Sequence, residues 1–161
     1  MTPAIILDTD FLSSFLKIDQ LPLVRDFYGT EKLLVPPAVY REVSLTDFLP
    51  KLASLSWVRI EDPAPPGDLG RIESFASLGR GEREAILLAR KHEASLLLMN
   101  DNKARREARR LSLDAVNVPA FLLSCKLDGF VDGKEIRRLV QALQEKDRYG
   151  FRADILDRLL S

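Results

Sequence analysis

One cysteine stands in 161 residues, so no intramolecular disulfide can form. That fits a reducing cytosol. With no base-like partner evident in the sequence, Cys125 reads as a small buried hydrophobe. There is also a single histidine, His92, set between Lys91 and Glu93 near a helix end, where it reads as a surface residue. Chemistry that needs a histidine base or a thiolate therefore has little to work with. Charge of one sign is missing too: Lys plus Arg and Asp plus Glu are 24 each. No global field draws in nucleic acid, so any such contact must use a local patch. No apolar run is long enough to span a membrane, and no charged-then-apolar leader is present; the expected location is the cytoplasm. Repeats and low-complexity tracts are absent. What is present, 46% hydrophobic and 30% charged residues, is the make-up of an ordinary globular protein with an ample core.

The chain is organised around Ile5-Ile6-Leu7-Asp8-Thr9-Asp10. A short Ile-rich run reads as a strand buried on both faces, as in a parallel sheet. The strand should stop where the acid begins, because an unpaired buried carboxylate is very costly. Asp8 is then expected at the carboxyl end of a central strand, where open α/β sheets place ligands. Continued extended backbone would aim Asp8 and Asp10 the same way. Two such carboxylates repel unless a cation lies between them, which suggests a hard divalent metal. Capping of the following helix is the competing reading, and the two are compatible.

Further on, helices are expected at Phe11–Lys17 and Leu21–Tyr28, and a strand at Leu33–Val35. Ala38–Val43 and residues 45–56 also read as helical. Trp57–Ile60 suggests an edge strand and Asp62–Gly67 a loop. Gly79 and Gly81 open a helix running through Ala89. Ser95–Met99 reads as a buried strand, Lys103–Leu111 as a basic helix, and Asp114–Val118 as a strand closed by Pro119. Helices at Phe121–Leu127, Glu135–Lys146 and Ala153–Leu160 complete the chain, with a turn at Tyr149-Gly150-Phe151. Strands alternating with helices imply a three-layer α/β/α domain with a mainly parallel sheet of four to five strands. Residues 1–161 are expected to form one domain, with helices 135–161 packed on it.

Asp8 and Asp101 follow strands; Glu42 and Glu82 begin helices, with Glu84 close by. In a parallel sheet these positions share one edge, so acids distant in sequence can meet in one cleft. Carboxylate oxygens suit Mg²⁺ or Mn²⁺. Two such ions about 3.5–4 Å apart can serve phosphodiester hydrolysis without a histidine base. Taken singly, Glu42 reads as a solvated helix residue, Glu82 and Glu84 as favourable charge at a helix N-terminus, and Asp101 as a cap. Residues 103–110 read Lys-Ala-Arg-Arg-Glu-Ala-Arg-Arg. A charge run is commonly a solvated face, but this one starts at the acidic edge. Lys103, Arg105 and Arg106 could meet phosphates there.

These residues resemble the PIN-domain family of metal-dependent nucleases. Ile-Leu-Asp8-Thr9 is similar to its first acidic motif. Val35 to Val43 is similar to the second, with Glu42 as the acid. Gly79-Arg80-Gly81-Glu82 through Ala89 resembles the third in a subgroup with Gly-x-Gly-Glu, and counting back from Ala89 puts Glu82 rather than Glu84 on the family's acid. Leu97 to Asp101, followed by Lys-Ala-Arg-Arg, resembles the fourth. Asn100 stands where the subgroup often has an acid, and Asp10 where the family commonly has Ser or Asn, offering a further ligand. The resemblance implies a ribonuclease acting on RNA with Mg²⁺ or Mn²⁺ held by Asp8, Glu42, Glu82 and Asp101, with Thr9 and Asn100 in support. Many family members are toxins of VapC type, inhibited by an antitoxin and commonly dimeric, so an antitoxin partner and a homodimer join the expectations. Two alternatives stand beside this reading. One is a non-catalytic PIN-like module binding RNA or protein. The other is a haloacid-dehalogenase-like phosphatase, whose Asp-x-Asp nucleophile Asp8-Thr9-Asp10 resembles, although Phe11-Leu12 lacks the Ser or Thr that family needs.

Overall fold

The computed structural model describes residues 2–161. Its elements in order are β1 (Ala4–Leu7), α1 (Thr9–Lys17), α2 (Leu21–Tyr28), β2 (Leu33–Val35), α3 (Pro37–Ser44), α4 (Leu49–Ala53) and β3 (Val58–Ile60). There follow α5 (Glu73–Ala76), α6 (Arg80–Lys91), β4 (Ser95–Leu98), α7 (Asn102–Arg110), β5 (Asp114–Val116), α8 (Val118–Leu127), α9 (Gly133–Lys146) and α10 (Ala153–Leu160). The five strands form one parallel sheet in the order β3-β2-β1-β4-β5. Helices cover both faces, giving three layers.

The two-residue side-chain period of the strands divides the core. Ile5, Leu7, Leu33, Val35 and Leu98 point into one cluster, with α1, α2, α8 and α9 over them. Ile6, Leu34, Leu97 and Met99 point into the other, against α5, α6 and α7. Phe11, Phe15 and Phe121 interlock at the centre of the first cluster, with ring centroids 5.1–5.9 Å apart. Ile136, Leu139, Val140 and Leu143 of α9 and Leu159 of α10 are buried in the same cluster.

The strand order reverses at β1. The chain steps from β1 to β2 to β3, then returns to lay β4 on the other side of β1. Ligands of open α/β sheets bind at such a reversal, beyond the carboxyl ends of the strands. Leu7 lies opposite Leu98 there, and the Asp8 amide donates to the Leu98 carbonyl at 3.0 Å.

Three local expectations are corrected. Residues 45–56 are helical only over Leu49–Ala53, and Leu45 is 85% exposed. Thr46 Oγ1 donates to the Val43 carbonyl at 2.6 Å and accepts from the Phe48 amide at 3.2 Å. This local pairing competes with a continued helix. Pro50, lacking an N–H, fits only a helix start. Second, Pro119 does not close a strand. β5 ends at Val116, and Asn117 caps α8 through the Ala120 amide at 2.9 Å, with Pro119 in its first turn. Third, the loop expected at Asp62–Gly67 holds only to Pro66, for Gly67 opens a 3-10 helix, Gly67–Arg71, that leads into α5. Leu69, Ile72, Phe75 and Leu78 recur every three residues there, the spacing that suits this tighter coil.

Candidate active-site cleft

Asp8 is the first residue past β1 and caps α1, accepting from the Phe11 amide at 2.9 Å. It is 2% exposed. Burial lifts its carboxyl pKa to about 8; the Phe11 amide opposes this, and the charges of Asp10 and Glu82 add to it. Because α1 begins at Thr9, the extended period expected to align Asp8 and Asp10 does not apply. Asp10 instead stands exposed in the first helical turn, yet it borders the same cleft. Thr9 Oγ1 is buried there with no hydrogen-bond partner.

The cleft has a volume of about 180 Å³ and is lined by Asp8, Thr9, Asp10, Glu42, Gly79, Gly81 and Glu82. Glu42 comes from α3 and Glu82 from the first turn of α6. The two helices can approach because position 81 is glycine. A Cβ on Gly81 would lie 3.1 Å from Glu42 Oε1, 3.1 Å from Thr9 Oγ1 and 3.3 Å from Val39 Cγ2. Glu82 turns one oxygen back onto the Gly79 amide at 3.0 Å. Its pKa is raised by burial and by the charges of Asp101, Asp10 and Glu42. Asp10 is raised in turn by burial, then by Asp101, Glu42 and Asp147, with Lys17 opposing. Asp101 caps α7, accepting from the Ala104 amide at 2.8 Å. It does not line the cleft, but its field acts on both Asp10 and Glu82.

Glu84 faces elsewhere. It accepts from the Ala38 amide at 3.0 Å and pairs with Arg80 at 3.1 Å, and it is not part of the cleft wall. Asn100 takes a structural post: its Oδ1 accepts from the Val118 amide at 3.0 Å and from the Tyr149 hydroxyl at 3.3 Å. On α7, Lys103 and Arg106 are exposed, with no ion pair among the described residues. Arg105 is half-buried; it bonds Asn102 Oδ1, and its Nε is buried without a partner. Arg110, which shares a face with Lys103 and Arg106, is tied to buried Glu107 at 2.8 Å.

A divalent ion suits this chemistry in one form only. Among the described residues, no three Asp, Glu, His or Cys side chains converge tightly enough to cage an ion. Asp8, Glu82 and Asp101 each anchor an oxygen on a backbone amide, which spreads the ring. Mg²⁺ needs no cage, since it keeps several waters and takes one or two carboxylates directly. A buried acid held near pH 8 and an orphaned threonine hydroxyl are the two features such a hydrated ion would answer.

The sequence marks Tyr149-Gly150-Phe151 as a turn but gives Asp147 and Tyr149 no place near the cleft. Asp147 accepts from Ser14 Oγ at 2.6 Å and Lys17 Nζ at 2.9 Å, which brings Tyr149 beside Asn100. The aromatic-glycine-aromatic cluster was the available signal. A wider groove of about 560 Å³, lined by residues such as Thr2, Gly29, Lys32 and His92, contains none of the candidate acids. No described helix is long and apolar enough to cross a membrane.

Residues 4–161 match the family model described as a PIN domain. No curated protein matches the sequence.

Proposed function

The chain belongs to the PIN-domain family, and from that membership we propose that it is a metal-dependent endoribonuclease hydrolysing RNA phosphodiester bonds. The observation that carries this is Asp8. It is a buried acid at the sheet's reversal point, its pKa raised by burial and by neighbouring carboxylates, with the other acids of the cleft around it. Such a group ionises at working pH when a cation compensates it. The ion is Mg²⁺ or Mn²⁺, and Asp8, Glu42, Glu82 and Asp101 hold it directly or through water, with Asp10 at the rim. When bound, it supplies Lewis acidity to the phosphoryl group and makes water a better nucleophile.

The chain's own residues do the rest. Asp8 carries the negative charge that fixes the site. Thr9 Oγ1, unpartnered, donates to Asp8 or to the attacking water. Glu42, close against Gly81, and Glu82 beside it line the cleft. Lys103 and Arg106, exposed at the start of α7, meet phosphates of the strand, and Arg105 supports them from its half-buried position. Glu84 serves the α3–α6 junction rather than the ion. In a cell this nuclease acts in the cytoplasm as the toxin of a toxin–antitoxin pair, a homodimer repressed by a protein partner.

Cleavage of end-labelled RNA by wild type and Asp8→Asn, with Mn²⁺ or with chelator, tests the reading. Metal-dependent cuts that vanish in Asp8→Asn support it. A second reading, a PIN-like binding module without catalysis, draws on the wide spacing of the acids and on Asn100. RNA binding that survives both chelator and Asp8→Asn, with no cleavage by folded wild type on varied RNAs, supports that module instead. The dehalogenase-like alternative has no support once the family is established.

A further inference from the structure

A second cavity adjoins the acidic cleft and shares Asp10 with it. Its volume is about 360 Å³, and Ser13, Lys17, Asn100, Arg148 and Tyr149 are among its walls. We propose that this cavity receives the nucleotide next to the scissile phosphate, with Arg148 on that nucleotide's phosphate and the Asn100 amide nitrogen on one of its oxygens. The proposal rests on the nuclease reading above and names where the substrate strand runs.

The charges argue first. Lys17 is spent on Asp147 at 2.9 Å. Arg148 is exposed, with no ion pair among the described residues. It is held in the left-handed backbone region at φ 52°, one of three non-glycine residues there. That conformation is unfavourable for a long side chain, and strain of this kind gathers at functional sites. The chain turns at Arg148 directly after Asp147 is anchored to α1 through Ser14 and Lys17, so the cation is presented by a fixed loop.

The orientation of Asn100 argues second. Two donors, the Val118 amide and the Tyr149 hydroxyl, occupy Oδ1. A flipped amide would set its N–H against the Val118 N–H, which can only donate, so Oδ1 stays there and Nδ2–H₂ is left as a donor for a ligand. A carboxylate at this position would still accept both bonds but would have no proton to give. Asn100 in this chain is thereby a donor to substrate, not a weakened metal ligand.

The test is binding of a fluorescein-labelled single-stranded pentaribonucleotide in chelator, followed by anisotropy across a salt series, with cleavage kinetics in Mn²⁺ beside it. Wild type, Arg148→Ala, Asn100→Asp and Asp8→Asn are compared. Loss of one phosphate contact should lower the slope of log K against log salt by about 0.7 in Arg148→Ala. Asn100→Asp, which retains its hydrogen-bond acceptors, should weaken binding about tenfold and raise KM without tightening Mn²⁺ binding. Asp8→Asn should bind RNA at least as well as wild type. If Arg148→Ala and Asn100→Asp bind as wild type does while wild type cleaves, the cavity proposal falls and the nuclease reading stands. If Asn100→Asp instead tightens Mn²⁺ binding and speeds cleavage, the position is a metal ligand and the proposal falls. If the variants lose binding and wild type does not cleave, the nuclease reading falls and takes with it the placement beside a scissile phosphate, leaving the cavity as an RNA-binding site alone. If wild type binds no RNA, both fall.

Discussion

Gly81 shows how one missing methyl group can set a site. Its Cα lies where α6, α3 and the start of α1 meet, and a Cβ there would crowd Glu42 Oε1, Thr9 Oγ1 and Val39. Alanine at this helical position gains about 1 kcal/mol of helix propensity over glycine. Crowding opposes that gain, because Val39 is fixed in the core and Thr9 Oγ1 is buried beside it. Gly81→Ala is expected to change stability by less than about 1 kcal/mol in urea unfolding. If Glu42 acts as proposed, cleavage should fall about tenfold or more as the added methyl displaces it. Unchanged kcat in Gly81→Ala would show that Glu42 does not need this close approach.

At the scale of elements, the two glutamates of α6 divide their labour by helical rotation. Glu82 faces the cleft; Glu84 reaches across to the first turn of α3. Pro36 and Pro37 bring no N–H to that helix start, so the buried Ala38 amide is a donor that needs a partner. Glu84→Ala should cost about 1–3 kcal/mol in urea unfolding, the penalty of an unsatisfied buried donor. Glu84→Gln, which keeps an acceptor, should recover most of that loss. Equal stability of the two variants would mean that water replaces the carboxylate. The periodicity of apolar residues located nearly all the helices and strands, because each buries one stripe or one alternate row. It misplaced the segment at 45–56, where the leucines keep helical spacing but Thr46 and Pro50 interrupt the backbone pattern.

Over the whole molecule, the acidic cleft ties folding to pH and, on the proposed function, to divalent ions. Asp8 is near 3.8 when unperturbed and about 8 in the fold, so between those values the folded state holds a proton that the unfolded chain has lost. Stability therefore falls as pH rises through that window, at up to about 1.4 kcal/mol per pH unit. The raised Asp10 and Glu82 act in the same direction. In chelator, Tm should drop steadily from pH 5 to pH 8, and Asp8→Asn should flatten much of that drop and melt higher than wild type at pH 8. Adding Mg²⁺ or Mn²⁺ should raise wild-type Tm more at pH 8 than at pH 6, because the ion binds the ionised acid. Parallel pH profiles for wild type and Asp8→Asn would show that Asp8 carries its charge without help.

Where the acids stop the strands was decided by local physics and could be read along the chain. Ile5-Ile6-Leu7 must be buried and Asp8 resists burial, so the strand ends there; Leu97-Leu98-Met99 before Asn100-Asp101 repeats the logic. Glycines at 79 and 81 and the acids Asp8 and Asp101 marked helix starts for the same reason, since they meet backbone needs within a turn, whereas Asn117, the cap of α8, reads locally as part of a strand. Tertiary structure alone decided which ends meet. The return of β4 to the side of β1 brings Asp101 within the field of Asp10 and Glu82, and no local pattern encodes strand order. The choice of Glu82 over Glu84 for the cleft depends on which way α6 faces α3. The fixed amide of Asn100 and the cavity beside Arg148 depend on α8 and the 147–150 loop arriving from far along the chain. Contacts between distant residues are settled by packing of the whole core, and that is information a sequence carries only collectively.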